Sequence, residues 1–243
     1  MKAIFSTLLF QPLFNILIFF YQTIAFHDFG LAIIFLTLLI RLILFPVFQK
    51  STRHQRVMQE LQPKLKKVQE EHKKDRTKQA AAMMAVYKDH NVSPFSGFLL
   101  LLVQIPVLIA LYLVLRQSLS AESLKGLYSF ISSPQKLNYS FLGLINLANR
   151  SIVVVSLAVI TQYFQAKLSL PKIEKGRVLS QTEKMGRQMA YFGPILTAVI
   201  FFNFPAALGL YWLITSLFSI FQQLIINREF EHGKLAELRK NTD

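Results

Sequence analysis

One permanently charged side chain, Arg41, stands in the middle of the run LTLLIRLILFP, Leu36 to Pro46, whose other residues suit a bilayer core. A guanidinium stays protonated at any physiological pH and presents five N–H donors in a planar fork, so its chemistry is attraction of oxygen rather than proton transfer. At the centre of a membrane it costs ~2.5–3.5 kcal/mol on insertion scales, and it normally faces a polar cavity. Counting from Gly30 at about 1.5 Å per residue places Arg41 roughly 16 Å deep, near the midplane of a ~30 Å core. No Asp or Glu lies within any long apolar run of the chain. Water, carbonyls and neutral side chains must therefore solvate the charge. The candidates on other apolar runs are Gln104, Thr161, Gln162, Gln165, Asn203, Tyr211 and Trp212. Some of these, gathered round Arg41, would form a hydrated, positively charged pocket inside the membrane. A structural arginine buried against carbonyls is the alternative.

The elements that must position these residues follow from hydropathy and charge. The 243 residues are 53% hydrophobic, with a mean hydropathy of +0.39, yet carry a formal charge of +14. Those properties must be separated in space. Apolar runs recur at Leu31–Phe48, broken by Arg41, and at Phe95–Leu115, Ile152–Phe164, Tyr191–Phe204 and Ala206–Ile226. They predict an all-α polytopic membrane protein with five transmembrane helices. The fourth is short and bounded by Pro194 and Pro205. Between the first two runs lie eleven Lys or Arg against five acids, Lys50 to Lys88, whereas Arg116 to Arg150 holds only four basic residues. The loop QAKLSLPKIEKGRVLSQTEKMGR has six, and FNFPAAL none. This alternation places the first and third loops and the C-terminus in the cytoplasm and the N-terminus outside.

Two further segments have their own pattern. In the first loop Val57, Leu61, Leu65 and Val68, then Ala80, Met83 and Tyr87, recur at helical spacing around the charged HKKDR. They predict a cytoplasmic antiparallel helical hairpin within residues 49–92, with Pro63 bending or restarting its first helix. Its basic residues Lys64, Lys66, Lys67, Lys73, Lys74 and Arg76 suit either a solvated face near anionic lipid or a docking surface for a polypeptide, a ribosome or another membrane protein. At the start of the chain Thr7, Gln11, Asn15 and Gln22 fall on one helical face, with Leu8, Phe14, Leu17, Ile18 and Phe20 elsewhere. That predicts an amphipathic helix within residues 1–28, lying in the outer interface with its polar stripe toward water. A spanning or cleaved segment is the alternative. Residues 29–228 then form the membrane core and 229–243 a short tail; the stretch after Asn227 holds four basic and four acidic residues.

Composition also excludes chemistry. With no cysteine, disulfides, thiolate nucleophiles and thiolate metal sites are ruled out. His27, His54, His72, His90 and His232 fall in loops or tails without an H-E-x-x-H motif, and no P-loop is present. The pattern predicts no enzyme and no cofactor. A small-solute or ion transporter would also use a buried arginine, but proton coupling commonly needs intramembrane acids. The basic charge could serve nucleic acid, yet it lies beside the apolar runs, where topology already accounts for it. No direct nucleic-acid binding is expected except through a ribosome.

The runs GLAIIFLTLLIRLILFPVFQKS, LQPKLKKVQEEHKKDRTKQAAAMMAVYKDHNVSPFSG, LLVQIPVLIALYLVLR and FFNFPAALGLYWLITSLFSIFQQLIIN closely resemble the YidC/Oxa/Alb membrane protein insertases, in order, over about Gly30 to Arg228. The resemblance implies five helices around a groove open to cytoplasm and lipid but closed on the outside. It makes Arg41 the groove arginine and carries groove positions to Gln165 in YFQAKL and Trp212 in LYWL. It also implies a mobile hairpin needed for activity, nascent membrane proteins as clients, possible Sec translocon and ribosome partners, and a place in the bacterial plasma membrane. The chain departs from the pattern at Gly97–Leu102, GFLLLL, where many bacterial members read G-C-L-P-L-L. A straighter start to the second span is expected. Only about 30 residues precede the first span, which suggests a short form without a large extracytoplasmic domain. The lipoprotein cysteine of many Gram-positive members is missing too.

Overall fold

The computed structural model describes residues 2–93, 96–118, 126–134, 136–170 and 181–240. They are almost wholly helical, as the hydropathy pattern predicts. The addition is an antiparallel two-residue ladder, β1 (Ser140–Phe141) against β2 (Ile145–Asn146).

The chain begins with α1 (Lys2–Phe5), one π-helical turn at Ser6–Phe10 and α2 (Gln11–Thr23). Pro12 has no N–H to give the carbonyl of Leu8, and the widened turn just before it accommodates that loss without ending the rod. A short turn, in which Phe26 (φ 51°) and His27 (φ 59°) are left-handed, reverses the chain into α3 (Phe29–Ile43). Asp28 caps α3 by accepting from Leu31 N at 2.9 Å, and its other oxygen accepts from Leu142 N at 2.6 Å. One carboxylate thus starts the helix that carries Arg41 and fastens the β ladder over it. Gly30 is required beneath that ladder, because a Cβ there would sit 2.2 Å from Cδ2 of Phe141.

α4 (Phe45–Glu60) leaves α3 at 66°, with Pro46 in its first turn. α5 (Gln62–Glu71) restarts at Pro63 as the sequence requires, and α6 (Arg76–Asp89) returns alongside it, capped by Asp75 through Thr77 N and Lys78 N. α7 (Ser96–Ser118) runs unbroken through Pro106, followed by α8 (Ile152–Leu168), α9 (Gln181–Phe201) and α10 (Ala206–Lys240). By length and composition Ala206–Glu231 can cross a membrane alone, and α3 with α4 qualifies as one bent span. Leu102–Ser118 and Ile152–Leu168 are shorter apolar helices. Part of the loop Lys167 to Arg187, residues 171–180, lies outside the described residues.

One core joins α2, α3, α7, α8 and α10, with Leu17, Ile18, Ile33, Leu36, Val114 and Leu210 at its centre. Small residues let α10 approach α8: a Cβ on Gly209 would stand 3.2 Å from Cγ1 of Val154. Close backbone approach of this kind holds helices together where lipid, as apolar as leucine, removes the hydrophobic drive. The outward faces of α8 and α9 expose Ile152, Leu157, Ile160, Phe164, Ile195 and Val199. Single exposed apolar side chains are ordinary, but a continuous belt of them is not a surface for water.

The first helix departs from the amphipathic expectation. Asn15 does not face water: it is 1% exposed, donates to the carbonyls of Gln11 (2.9 Å) and Gly126 (3.2 Å), and accepts from Tyr128 N at 2.7 Å. Gln22 likewise donates to the Ser132 carbonyl. Phe14, Leu17 and Ile18, expected to sink toward acyl chains, are buried in the protein core, while Ile4, Leu8 and Phe19 point outward. For Asn15 and Gln22 the solvent is the backbone of the 126–132 loop, whereas Thr7 stays exposed. Tyr139 closes the same layer by donating its hydroxyl to the Ser118 carbonyl, and burial pushes its phenol up from the ordinary range.

Candidate functional site

Arg41 lies on the last turn of α3, where that helix meets the bend into α4, and is 4% exposed. Its Nη2 donates to the carbonyl of Thr215 (3.0 Å) and to Oγ of Ser219 (2.8 Å), both on α10. The guanidinium lies 4.3 Å from the ring centroid of Phe48 on α4 and 5.9 Å from that of Phe218 on α10. These contacts favour a cation without neutralising it. Nη1 is buried and has no hydrogen-bond partner among the described residues. The arginine therefore keeps its full charge and a donor to spare.

The polar residues expected around Arg41 are placed otherwise. Gln104 on α7 donates to the Tyr211 hydroxyl at 2.7 Å, and Trp212 donates its indole N–H to Gln162 of α8 at 3.1 Å. Adjacent residues of α10 thus tie it to two different helices. Tyr211, one turn before Thr215 on α10, is nevertheless close enough to Arg41 for the two to interact electrostatically, so the Gln104–Tyr211 pair borders the guanidinium without hydrogen-bonding it. Phe201 of α9 packs on Trp212, their ring centroids 5.3 Å apart. Gln165 is half-buried one turn beyond Gln162 and, among the described residues, is not one of the groups hydrogen-bonded to Arg41. Thr161 and Asn203 turn back onto their own helices, bonding the carbonyls of Leu157 and Val199.

Sequence reasoning missed the residues that do hold the guanidinium. Thr215, Ser219 and Gln222 recur at i, i+4 and i+7 on α10 and so share one face. That stripe was the available signal; carbonyls were expected among the ligands, and the one used is that of Thr215. Gln222 is 2% exposed and its Nε2, like Oγ1 of Thr215, has no partner among the described residues. Farther along α10, Asn227 donates to the Leu168 carbonyl, Gln59 of α4 donates to the Ser169 carbonyl, and Arg53 pairs with Glu229 at 2.7 Å. The ends of α4, α8 and α10 are joined there by polar contacts rather than by a core.

In the hairpin Lys64, Lys66, Lys67, Lys73, Lys74 and Arg76 are all exposed, and Lys64 Nζ lies 3.1 Å from His90 Nε2. A small cluster of Leu61, Leu65 and Val92 holds α5 to α6, flanked by Val57, Met83 and Tyr87. Val68 and Ala80, expected in that seam, are not part of it. Among the described residues no three His, Asp or Glu side chains converge as a metal site.

The sequence as a whole has counterparts among known proteins. Residues 19–234 match the model of the family described as 60Kd inner membrane protein. Over 222 residues, 91% of this chain, the sequence is 35% identical to a protein of Magnetococcus marinus named membrane protein insertase YidC. Proteins of the same name from Geobacter metallireducens and Francisella tularensis subsp. novicida are 33% and 34% identical over 90% and 84% of the chain. The matches take in 36%, 36% and 33% of those proteins, so the chain spans about a third of the length of the curated relatives it matches. With nearly all of its membrane core inside the matched region, the chain belongs to the 60Kd inner membrane protein family, the YidC/Oxa family of polytopic membrane proteins.

Proposed function

We propose that the chain is a membrane protein insertase and chaperone, which takes segments of nascent membrane proteins through a positively charged intramembrane groove without nucleotide hydrolysis. The observation that carries this reading is Arg41, enclosed among apolar helices with a buried donor free and no carboxylate bonded to it among the described residues. A polar segment crossing a bilayer meets a dielectric barrier, and a fixed cation with hydrogen-bonding neighbours lowers it for acidic segments. Apolar flanks of the client then partition sideways into lipid, gaining ~25 cal/mol per Å² removed from water. Arg41 attracts and orients oxygen. Gln104, Tyr211, Gln162, Gln165 and Trp212 give the groove its neutral polar wall.

In this reading five spans enclose the groove: α3 with its bend into α4, then α7, α8, α9 and α10. The hairpin and the C-terminal end of α10 face the cytoplasm, as the charge alternation requires. The first helix lies in the outer interface. Its support is that Asn15, Tyr21 and Gln22 all contact residues 126–138, over two turns of helix; a spanning helix would meet such a loop only at its end. The exposed basic residues of the hairpin form a docking surface for a ribosome or a Sec translocon. Purified protein in liposomes should insert a single-span client whose translocated tail carries acids, scored by protease protection of the tail. No protection above that in protein-free liposomes would refute the reading.

A further inference from the structure

The hydrogen bonds of Arg41 use one amino group and leave the other buried, and the aromatic ring nearest the guanidinium belongs to the first part of α4. Phe48 is 8% exposed and lies against the guanidinium at 4.3 Å. We propose that α4 is a hinged gate over Arg41: Phe48 is the positioning residue that covers the charge, Leu44 to Pro46 is the hinge, and opening admits a carboxylate of the client. The proposal rests on the insertase reading above.

The hinge is written in the backbone. Leu44 has left helical geometry (φ −86°, ψ 0°), Pro46 has no N–H to continue the ladder, and the axis turns by 66°. The gate is also lightly held. Of the sixteen residues of α4, the buried ones are Phe48 and Ser51. Besides these it meets α10 through Phe45 on Phe218 (6.3 Å) and Arg56 over Phe230 (6.0 Å), and it is tied by Gln59 to the Ser169 carbonyl and by Arg53 to Glu229, whose side chains are 58% and 43% exposed. Exposed ion pairs contribute at most ~1 kcal/mol, so this latch closes the gate without locking it. Elements with few buried contacts are those that open locally.

The closed gate is ready for a particular ligand. Leaving Nη1 buried and unpartnered is unfavourable, and a charge-assisted bond to a carboxylate is the strongest available remedy. While Phe48 lies against the fork, an incoming chain cannot reach that donor. A carboxylate thus binds the open state better than the closed one, which is the differential affinity a ligand needs in order to shift the equilibrium.

The chain has no cysteine, so single reporters can be introduced directly. Ser219→Cys places a thiol beside Arg41, and its rate of reaction with a small water-soluble maleimide in client-free proteoliposomes reports opening. Phe48→Ala should raise that rate about 2- to 30-fold, the range of a partly desolvated cation–π contact, and Phe48→Leu, which keeps the bulk, should raise it less. Arg53→Glu should raise it up to about 5-fold, and adding Glu229→Arg should restore the slow rate. Unchanged rates in both Phe48→Ala and Arg53→Glu would overturn the gate, as would acceleration by Arg53→Glu that the swapped pair does not reverse. Bridging Arg53→Cys to Glu229→Cys with a short bis-maleimide should cut insertion of an acidic client at least about tenfold relative to the unbridged double variant, and full activity of the bridged protein would also overturn the proposal. If the unbridged protein inserts nothing, the insertase reading fails, while the thiol kinetics still judge the gate.

Discussion

In the bundle around α3 and α10, polar side chains reach across more than a hundred residues of sequence: Asn15 to Gly126, Arg41 to Thr215, Gln104 to Tyr211. In the hairpin of α5 and α6 they stay local, from Gln69 to Gln79 and from Lys64 to His90. The bundle has its own extensive core, whereas the hairpin is held by three buried residues and a short seam. Both are helical, and both have helices broken at prolines. What separates them is where their contacts close. A lesion in the bundle must be felt on several helices at once, but the hairpin can loosen alone, as a region of low local stability does.

The largest effect expected from this contrast is on function. Arg41→Ala should lower insertion of clients with acidic translocated segments about 10- to 100-fold, the equivalent of one charge-assisted hydrogen bond, and should spare neutral clients. Equal loss on both, in the reconstituted assay at matched protein amounts, would mean that Arg41 is a structural post. Arg41→Lys should retain part of the activity if charge matters more than the fork.

Next in size is Gly30→Val, which forces a side chain into the ring of Phe141. It should destabilise the bundle by about 1–3 kcal/mol, seen as a lower unfolding midpoint in detergent, and Phe141→Ala should return part of the loss. Asn15→Leu follows, because it strands Tyr128 N and the Gly126 carbonyl; a cost of about 1–3 kcal/mol is expected. Its readout is faster protease cleavage between residues 126 and 138. If that loop is unaffected, the first helix is not what holds it. The smallest effect belongs to the hairpin. Asp75→Ala removes the cap of α6, costing about 1 kcal/mol, and should speed amide exchange in α6 while leaving α3 and α10 unchanged. Faster exchange in α3 as well would erase the distinction between the two regions.

How far the sequence could be read follows the same division. The apolar runs and the restart at Pro63 were legible, since hydropathy and proline act on the chain locally. The hairpin seam was legible in large part for the same reason, with Leu61, Leu65, Met83 and Tyr87 at helical spacing. The polar stripe of the first helix was seen, but its solvent was not: Asn15 is satisfied by a loop 111 residues away, and spacing cannot distinguish water from a distant backbone. At Arg41 carbonyls and neutral side chains were expected, but the residues singled out were mostly large polar ones. The structure uses a carbonyl, one serine hydroxyl and two aromatic faces, groups whose sequence signature in an apolar helix is faint. Gln104 and Tyr211, or Gln162 and Trp212, were each singled out without any sign that they would satisfy one another.

The length of α10 has a mechanical consequence. Its 35 residues make a rod of about 52 Å, some 20 Å longer than a straight crossing of a ~30 Å hydrocarbon core needs. Glu229 stands near the C-terminal limit of the stretch able to cross a membrane, about 15 Å along the axis from Ser219. Because the helix is unbroken between them, a load applied to the C-terminal end is delivered as torque to the residues that grip the guanidinium, with no loop in between to absorb it.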